Sequence, residues 1–330
     1  MTDLPMMHAL VLDRPDGPLR PAELARPVPA EGQALVRIAA SGVNPLDLKI
    51  RAGAAAHAKH TLPAVLGIDL AGTIVAVGPG VTGFRPGDEV YGMAGGVGGH
   101  QGSLAEYAAV DAALLAPKPA SLSMREAAAL PLVTITAWEG LVDRAGVREA
   151  QSVLVQGGAG GVGHVTVQLA RAFGAQVFAI DSAGKHDLLR RLGATPIDRT
   201  ETVEAIVAAH TGGHGFDLVY DTVGGPVLDA SFQAVRRFGH VVSALGWGSH
   251  LLAPLSFRAG TYSGVFTLLP LLTGEGREHH GEILRRAAAL AEAGQLAPVL
   301  DPRRFTLETA EAAHEAVAAG PAGKVVVEIA

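Results

Sequence analysis

An α/β fold, with a β-rich part followed by a doubly wound parallel sheet, is what this chain predicts, on three observations. The first third alternates short apolar runs with Gly/Pro turns. From Ser152 onward, strand-like and helix-like segments take turns. Between them, the hexapeptide Gly158-Ala159-Gly160-Gly161-Val162-Gly163 stands where a strand gives way to a helix. A chain of 330 residues is long enough for two domains. Its 48 % apolar content excludes disorder as the main state.

The β-rich part rests on apolar runs at 8–12, 34–39, 72–77 and 89–91, divided by turns such as Arg14-Pro-Asp-Gly17, Gly78-Pro-Gly80 and Arg85-Pro-Gly-Asp88. Regular short strands of this kind predict a small barrel or sandwich. Ser123 and Glu126 fit a capping box, which predicts a helix over 124–130. Strands are then expected at 153–156, 176–180, 217–220 and 240–245. Helices are expected at 164–173, 185–192, 202–210 and 227–237, the first and second stopped by Gly174 and Gly193. Two more helices follow at 282–293 and 307–319, and the β-branched run 324–329 reads as a strand. The tail is expected to fold back onto the first part. This gives a domain of residues 1–126 together with 266–330, and a second of residues 127–265.

Composition narrows the function. The net charge is −6 and no basic block occurs, so a nucleic-acid partner is not expected. Cysteine is absent, which removes disulfides, thiolate nucleophiles and Cys-rich zinc sites. The uncharged stretch 263–273 is broken by Pro270 and too short to span a bilayer. Residues 1–7 carry Asp3 and Pro5 where a secretory leader needs a basic and then an apolar region. The reading is a soluble, cytoplasmic protein with no membrane partner.

The glycine hexapeptide follows a strand and opens a helix, the context that a Rossmann dinucleotide site needs. Gly158 permits the tight turn, Gly160 admits a pyrophosphate to the backbone, and Gly163 lets helix and strand pack closely. The next strand ends at Asp181, 18 residues past Gly163. A carboxylate there accepts from ribose hydroxyls and repels a 2′-phosphate, which favours NAD(H). Against it, Lys185, His186 and Arg190 lie close behind and suit a phosphate, so NADP(H) stays open. Asp221-Thr-Val-Gly-Gly225 and Ala244-Leu-Gly-Trp-Gly248 stand at expected strand ends, where such cofactors lie.

Many peptides in order then resemble one family. They are Ser41-Gly-Val-Asn-Pro-Leu-Asp47 with Arg51-Ala-Gly53, and Leu62-Pro-Ala-Val-Leu-Gly-Ile-Asp-Leu-Ala-Gly72 with Val75-Ala-Val-Gly78. Further along come Phe84-Arg-Pro-Gly-Asp-Glu-Val-Tyr91, Gly102-Ser-Leu-Ala-Glu-Tyr107, Leu130-Pro-Leu132, Thr136-Ala-Trp138 and Gly323-Lys-Val-Val-Val327. Over nearly its whole length the chain resembles the medium-chain dehydrogenase/reductase superfamily, and within it the zinc-independent quinone oxidoreductases. The resemblance implies a GroES-like substrate domain beside a Rossmann domain, a homodimer with 265–272 at an edge or interface, and a lean toward NADP(H).

Where zinc-dependent relatives carry Cys and a Gly-His-Glu segment, this chain aligns Asn44 and Gly67-Ile-Asp69. An amide and an aliphatic side chain are not zinc ligands, and the four-Cys lobe is reduced to 92–102. No metal is expected. Without a Lewis acid, hydride donation to an already electrophilic quinone or α,β-unsaturated carbonyl is the accessible chemistry. The resemblance puts Asn44 and Thr136 near the nicotinamide or its ribose, with Asp47 close by. Lys49 would share a face with Asp47 in an extended segment and donate to a substrate oxygen. Relatives often have Tyr at the Lys49 position and near Ala55; this chain has neither. The cofactor contacts expected are Gly158, Ala159, Gly160, Gly161, Val162, Gly163, Asp181, Ser182, Lys185, Thr222, Val223, Gly224, Leu245, Gly246, Trp247 and Lys324. Two alternatives remain: an aldehyde or ketone reductase with a donor network at Asn44, Lys49 and Thr136, and a non-catalytic cofactor-binding relative.

Overall fold

The computed structural model describes residues 5–329 and falls into two compact units, Met1–Leu132 with Leu268–Ala330, and Val133–Thr267. Of the leader reading at residues 1–7, positions 1–4 lie outside the described residues. Among the described residues no helix is long and apolar enough to cross a membrane.

The first unit begins with a hairpin of β1 (Met6–Leu12) and β2 (Leu19–Ala25), and continues with β3 (Gln33–Val43) and the helix α1 (Pro45–Arg51). Then come β4 (Ala64–Val65), β5 (Asp69–Val77), β6 (Glu89–Met93), β7 (Tyr107–Asp111), β8 (Leu115–Pro117) and the helix α2 (Met124–Ala128). The eleven-residue β3 is the spine: it pairs along its length with β5, and its first half also pairs with β7. Alternate residues of these strands, among them Val36, Ile38, Leu70, Ile74 and Val90, fill one apolar core. The capping box forms as expected: Ser123 N–H donates to Glu126 Oε2 at 2.8 Å and Glu126 N–H returns a bond to Ser123 Oγ at 3.3 Å.

The chain then enters α3 (Pro131–Trp138), which widens into a π turn over Glu139–Arg144. Gly140 lets Tyr220 pack against this turn, because a Cβ there would stand 2.5 Å from the Tyr220 ring. In the second unit follow β9 (Ser152–Gln156), α4 (Gly161–Ala172), β10 (Gln176–Asp181), α5 (His186–Leu192), β11 (Thr195–Asp198) and α6 (Val203–Thr211). They are succeeded by β12 (Phe216–Asp221), α7 (Pro226–Ala234), β13 (Val235–Ser243), α8 (Ala253–Ser256) and β14 (Thr261–Gly264). All six strands are parallel, in the order β11-β10-β9-β12-β13-β14. The central β9 has Val153, Leu154 and Val155 fully buried, as a strand covered by helices on both faces must.

The tail adds α9 (Leu269–Thr273), α10 (Arg277–Glu292), β15 (Phe305–Thr306), α11 (Ala310–Ala318) and β16 (Val325–Glu328) to the first unit. Strand β16 runs antiparallel to the second half of β3, pairing Val325 with Val43.

Four readings need correction. Residues 45–51 are helical, not extended: Pro45 at the first helical position, after Asn44, is a helix start. The expected helix 227–237 ends at Ala234, and the β-branched Val235 already belongs to β13. Strand β11 is additional to the expected strands; Pro196 within it brings no N–H to the ladder, a loss tolerated at a sheet edge. Of the two edge strands, the one beside the expected segment is β14 at 261–264, and 265–272 leads into the short α9.

The β3–β5 pairing leaves no room above Gly72, where a Cβ would stand 2.2 Å from the Arg37 carbonyl oxygen. Gly72→Ala should cost about 2–3 kcal/mol in urea unfolding. Gly83→Ala, with nothing within 4 Å of its Cβ position, should change stability by less than about 0.5 kcal/mol.

Candidate functional site

In the second unit the glycine turn is built by exclusion of side chains. A Cβ on Gly158 would meet the Ala179 methyl at 2.6 Å, and one on Gly163 would meet the Gly157 carbonyl oxygen at 2.0 Å. Gly157 itself takes φ +68, a conformation open to glycine at little cost. Gly160 caps α4, and it and Gly161 face solvent. Helix geometry leaves the first-turn N–H groups without a carbonyl partner one turn back, so this end suits a pyrophosphate.

Asp181 closes β10 and reaches back to the turn. Its Oδ2 accepts the Ala159 N–H at 3.0 Å and its Oδ1 accepts the Ser182 N–H at 2.8 Å. A carboxylate has about four lone-pair directions, so capacity for two ribose hydroxyls is left. Of the cations behind it, Arg190 pairs with Asp187 at 2.7 Å and His186 stands 3.9 Å from Asp198. Lys185 is half-buried, four residues past Asp181. On the other side of β9, Thr222 Oγ1 donates to the Gln156 carbonyl at 2.7 Å, and Thr222 and Val223 lie against Gly157. Val223 and Trp247 expose 48 % and 55 % of their surface at the strand ends, apolar groups available to a ligand face. These residues fit a dinucleotide.

Thr136 is buried on α3, 3.1 Å by its hydroxyl from the Thr267 hydroxyl, which donates to Glu139 Oε2 at 2.9 Å. Tyr220 donates its hydroxyl to the Thr136 carbonyl at 2.6 Å, which fixes this turn of the helix against β12.

The first unit holds a compact polar knot at the end of β3. The Asn44 N–H donates to Asp47 Oδ2 at 2.8 Å, which starts α1. Its side-chain Nδ2 donates to Asp69 Oδ2 at 2.9 Å, and its Oδ1 accepts from the Lys324 ammonium. Asp69 Oδ1 accepts the Leu132 N–H at 2.9 Å, at the first turn of α3. Asn44, Asp47, Asp69 and Lys324 are all buried. The sequence reading did not include Asp69 among the site residues; an acidic residue inside an otherwise apolar run, 69–77, was the available signal. Lys49 is not in the knot: two residues along a helix from the buried Asp47, it faces solvent.

Burial dominates the electrostatics. It pushes the Asp47 carboxyl up to about 7, helped by the Asp69 charge and opposed by the Asn44 N–H and Lys324. Asp69 is pushed up to about 6 by burial, against the pull of Lys324, Asn44 and the Leu132 N–H. Burial lowers Lys324, and the two carboxyls draw it back up. Asp47 Oδ1 has no hydrogen-bond partner of good geometry among the described residues, while the Gly67 N–H, like the Asn44 N–H, favours its charged form. With Lys324 charged, the knot is neutral when one of the two carboxyls is ionised and the other protonated, and the lower value of Asp69 makes it the one that ionises first.

Both carboxyls keep their protons to higher pH in the folded chain than near 3.8, the ordinary Asp value. Their stabilising contribution is full below about pH 4 and is lost as pH rises through about 6 and about 7. Asp47→Asn keeps the acceptor for Asn44 and deletes one titration. The loss of thermal stability between about pH 5 and 8 should therefore be smaller in the variant than in the parent. Equal slopes in melting curves recorded across that range would contradict the assignment.

Comparison with known proteins gives the family. The profile of the alcohol dehydrogenase GroES-like domain matches residues 30–120, and that of zinc-binding dehydrogenases matches residues 192–327. The 2-methylene-furan-3-one reductase of Solanum lycopersicum is 39 % identical over 316 residues, which are 93 % of this chain and 74 % of that protein. The chloroplastic NADPH-dependent alkenal/one oxidoreductase of Arabidopsis thaliana is 36 % identical, and the match covers 83 % of this chain and 65 % of that protein. In a polyketide synthase protein of Streptomyces orinoci, the match covers only 12 % of the whole. Among solved structures, an alcohol dehydrogenase superfamily protein from Novosphingobium aromaticivorans is 60 % identical, with a TM-score of 0.97 over 98 % of this chain and 100 % of that one. The quinone oxidoreductase from Coxiella burnetii is 28 % identical, with a TM-score of 0.83 over 99 % and 100 %. The chain belongs to the medium-chain dehydrogenase/reductase superfamily, in its quinone oxidoreductase-like family.

Proposed function

We propose that this chain is an NAD(P)H-dependent oxidoreductase that transfers hydride to an α,β-unsaturated carbonyl or a quinone and works without zinc. The observation that carries the reading is the state of Asn44. Where the resemblance puts a zinc-binding thiolate in metal-dependent relatives, an amide is held at both ends, by Asp69 and by Lys324. Among the described residues no group of three or more His, Asp or Glu side chains is set to hold a metal ion. The named reductions of the tomato and Arabidopsis relatives support the substrate class.

When bound, the dinucleotide supplies the hydride. The protein's share is to hold it: the α4 N-terminus and the glycine turn take the pyrophosphate, and Asp181 takes the adenosine ribose. The resemblance assigns Asn44, Asp47 and Thr136 to the nicotinamide end, in the role of binding and orienting. Because the acceptor is already electrophilic, orientation and exclusion of water suffice for the first step. Reduction of simple aldehydes or ketones asks for a convergent donor network at Asn44, Lys49 and Thr136. The amide of Asn44 is instead engaged internally and Lys49 points outward, which favours the activated alkene or quinone.

Within this reading NADH is the preferred donor, since a carboxylate at Asp181, closing β10 beside the glycine turn, repels a 2′-phosphate. Turnover of an enone should proceed with a kcat/KM for NADH roughly tenfold or more above that for NADPH. Asp181→Ser should narrow the ratio. A preference for NADPH in the parent would transfer the assignment to Lys185.

The exposed edge of β14 is the surface we assign to a homodimer, because an unpaired strand edge invites pairing with a second copy. Sedimentation should give twice the 33.7 kDa chain mass at micromolar concentration; a single-chain mass would contradict it.

A further inference from the structure

Asp221 ends β12 with its side chain fully buried. Hydrogen-bond donors surround the carboxylate. Its Oδ1 accepts the N–H groups of Val223 and Gly224, both at 3.0 Å. Its Oδ2 accepts the Gly224 N–H at 3.1 Å and the Ser243 hydroxyl at 2.7 Å. Ser243 Oγ in turn accepts the Leu245 N–H at 3.1 Å, and the Asp221 carbonyl accepts the Ala244 N–H at 3.1 Å. One residue therefore fixes the first turns of two loops, 222–225 after β12 and 244–248 after β13.

The loops also touch each other and the glycine turn. Gly224 takes φ +79, and a Cβ on it would stand 2.5 Å from the Leu245 carbonyl oxygen. Thr222 is hydrogen-bonded to the end of β9, beside Gly157. The carboxyl ends of β9, β12 and β13 thus share one polar seam. Its place is the point where strand order reverses, with β10 and β11 on one side and β13 and β14 on the other.

That placement says which part of a dinucleotide the seam serves. Asp181, the ribose acceptor, lies on the β10 side of the glycine turn, so the adenosine half extends that way. The other half must cross β9 toward β12 and β13. We propose that Asp221 and Ser243 are positioning residues for the nicotinamide half of the cofactor: they hold loops 222–225 and 244–248 in the form that receives the ring. This rests on the dinucleotide reading above. Without the Asp221 carboxylate, buried N–H donors lose an acceptor, so the loops rearrange to recover hydrogen bonds.

The test uses the full chain with Asp221→Asn, Ser243→Ala and Ser243→Thr, and titrates NADH, NADPH and ADP against each, the last as a probe of the adenosine half. Asp221→Asn should weaken NADH binding about tenfold and raise its KM, while ADP binding stays within about twofold of the parent. Ser243→Ala should shift NADH in the same direction by less, and Ser243→Thr, which keeps the hydroxyl, should restore it. Should Asp221→Asn fail to fold, the Ser243 pair decides by the same NADH-against-ADP split. Parallel weakening of NADH and ADP, or no weakening of either, would overturn the positioning role. A parent chain that binds neither NADH nor NADPH would instead overturn the dinucleotide reading itself, and this assignment with it.

Discussion

One buried ammonium ion organises the first unit. Lys324 reaches the Asn44 amide and lies 3.3 Å from the Val43 carbonyl, so the tail strand β16 is locked to the end of β3 by charge as well as by its backbone ladder. The amide passes the interaction to Asp69 at the start of β5, and Asp69 passes it to the Leu132 N–H. Four segments distant in sequence meet at this point. Taking any one partner away would leave a charge or a donor stranded in an apolar interior, which is costly.

The second unit uses the same device with different partners. Asp181 and Asp221 each turn a carboxylate onto backbone N–H groups of loops at the carboxyl edge of a parallel sheet. Loops of glycine and small residues have little side-chain packing to define them, and a fixed acceptor supplies the missing constraint. Hydrogen bonds to a charged acceptor are stronger than neutral ones, so a few suffice. In this account the site is shaped by carboxylates that face the backbone, which leaves the glycines free to lie against a ligand.

The sequence exposed this architecture unevenly, for physical reasons. Strand β9 and the glycine turn were legible because an apolar run followed by spaced glycines has few other uses. The end of α7 and the start of β13 were not, because no Gly or Pro separates Ala234 from Val235-Arg-Arg-Phe238; the chain turns extended at Val235, with φ -75 and ψ 144. Helix α1 was legible in principle from Asn44-Pro45, yet period-two reasoning placed Asp47 and Lys49 on one face, where the helix separates them. The residues Asn44, Asp47 and Lys324 were picked out through family resemblance. Their mutual contacts, and the part of Asp69, depend on a strand pairing that no local pattern announces.

These pieces bear on one chemical claim, that hydride reaches an electrophilic alkene or quinone with no metal polarising the acceptor. The most direct measurement is the rate of NADH oxidation by an enone before and after exhaustive chelation, with the zinc content of the same samples determined in parallel. The account predicts an unchanged rate and no stoichiometric zinc. A rate that falls on chelation and returns with added zinc ion would contradict it.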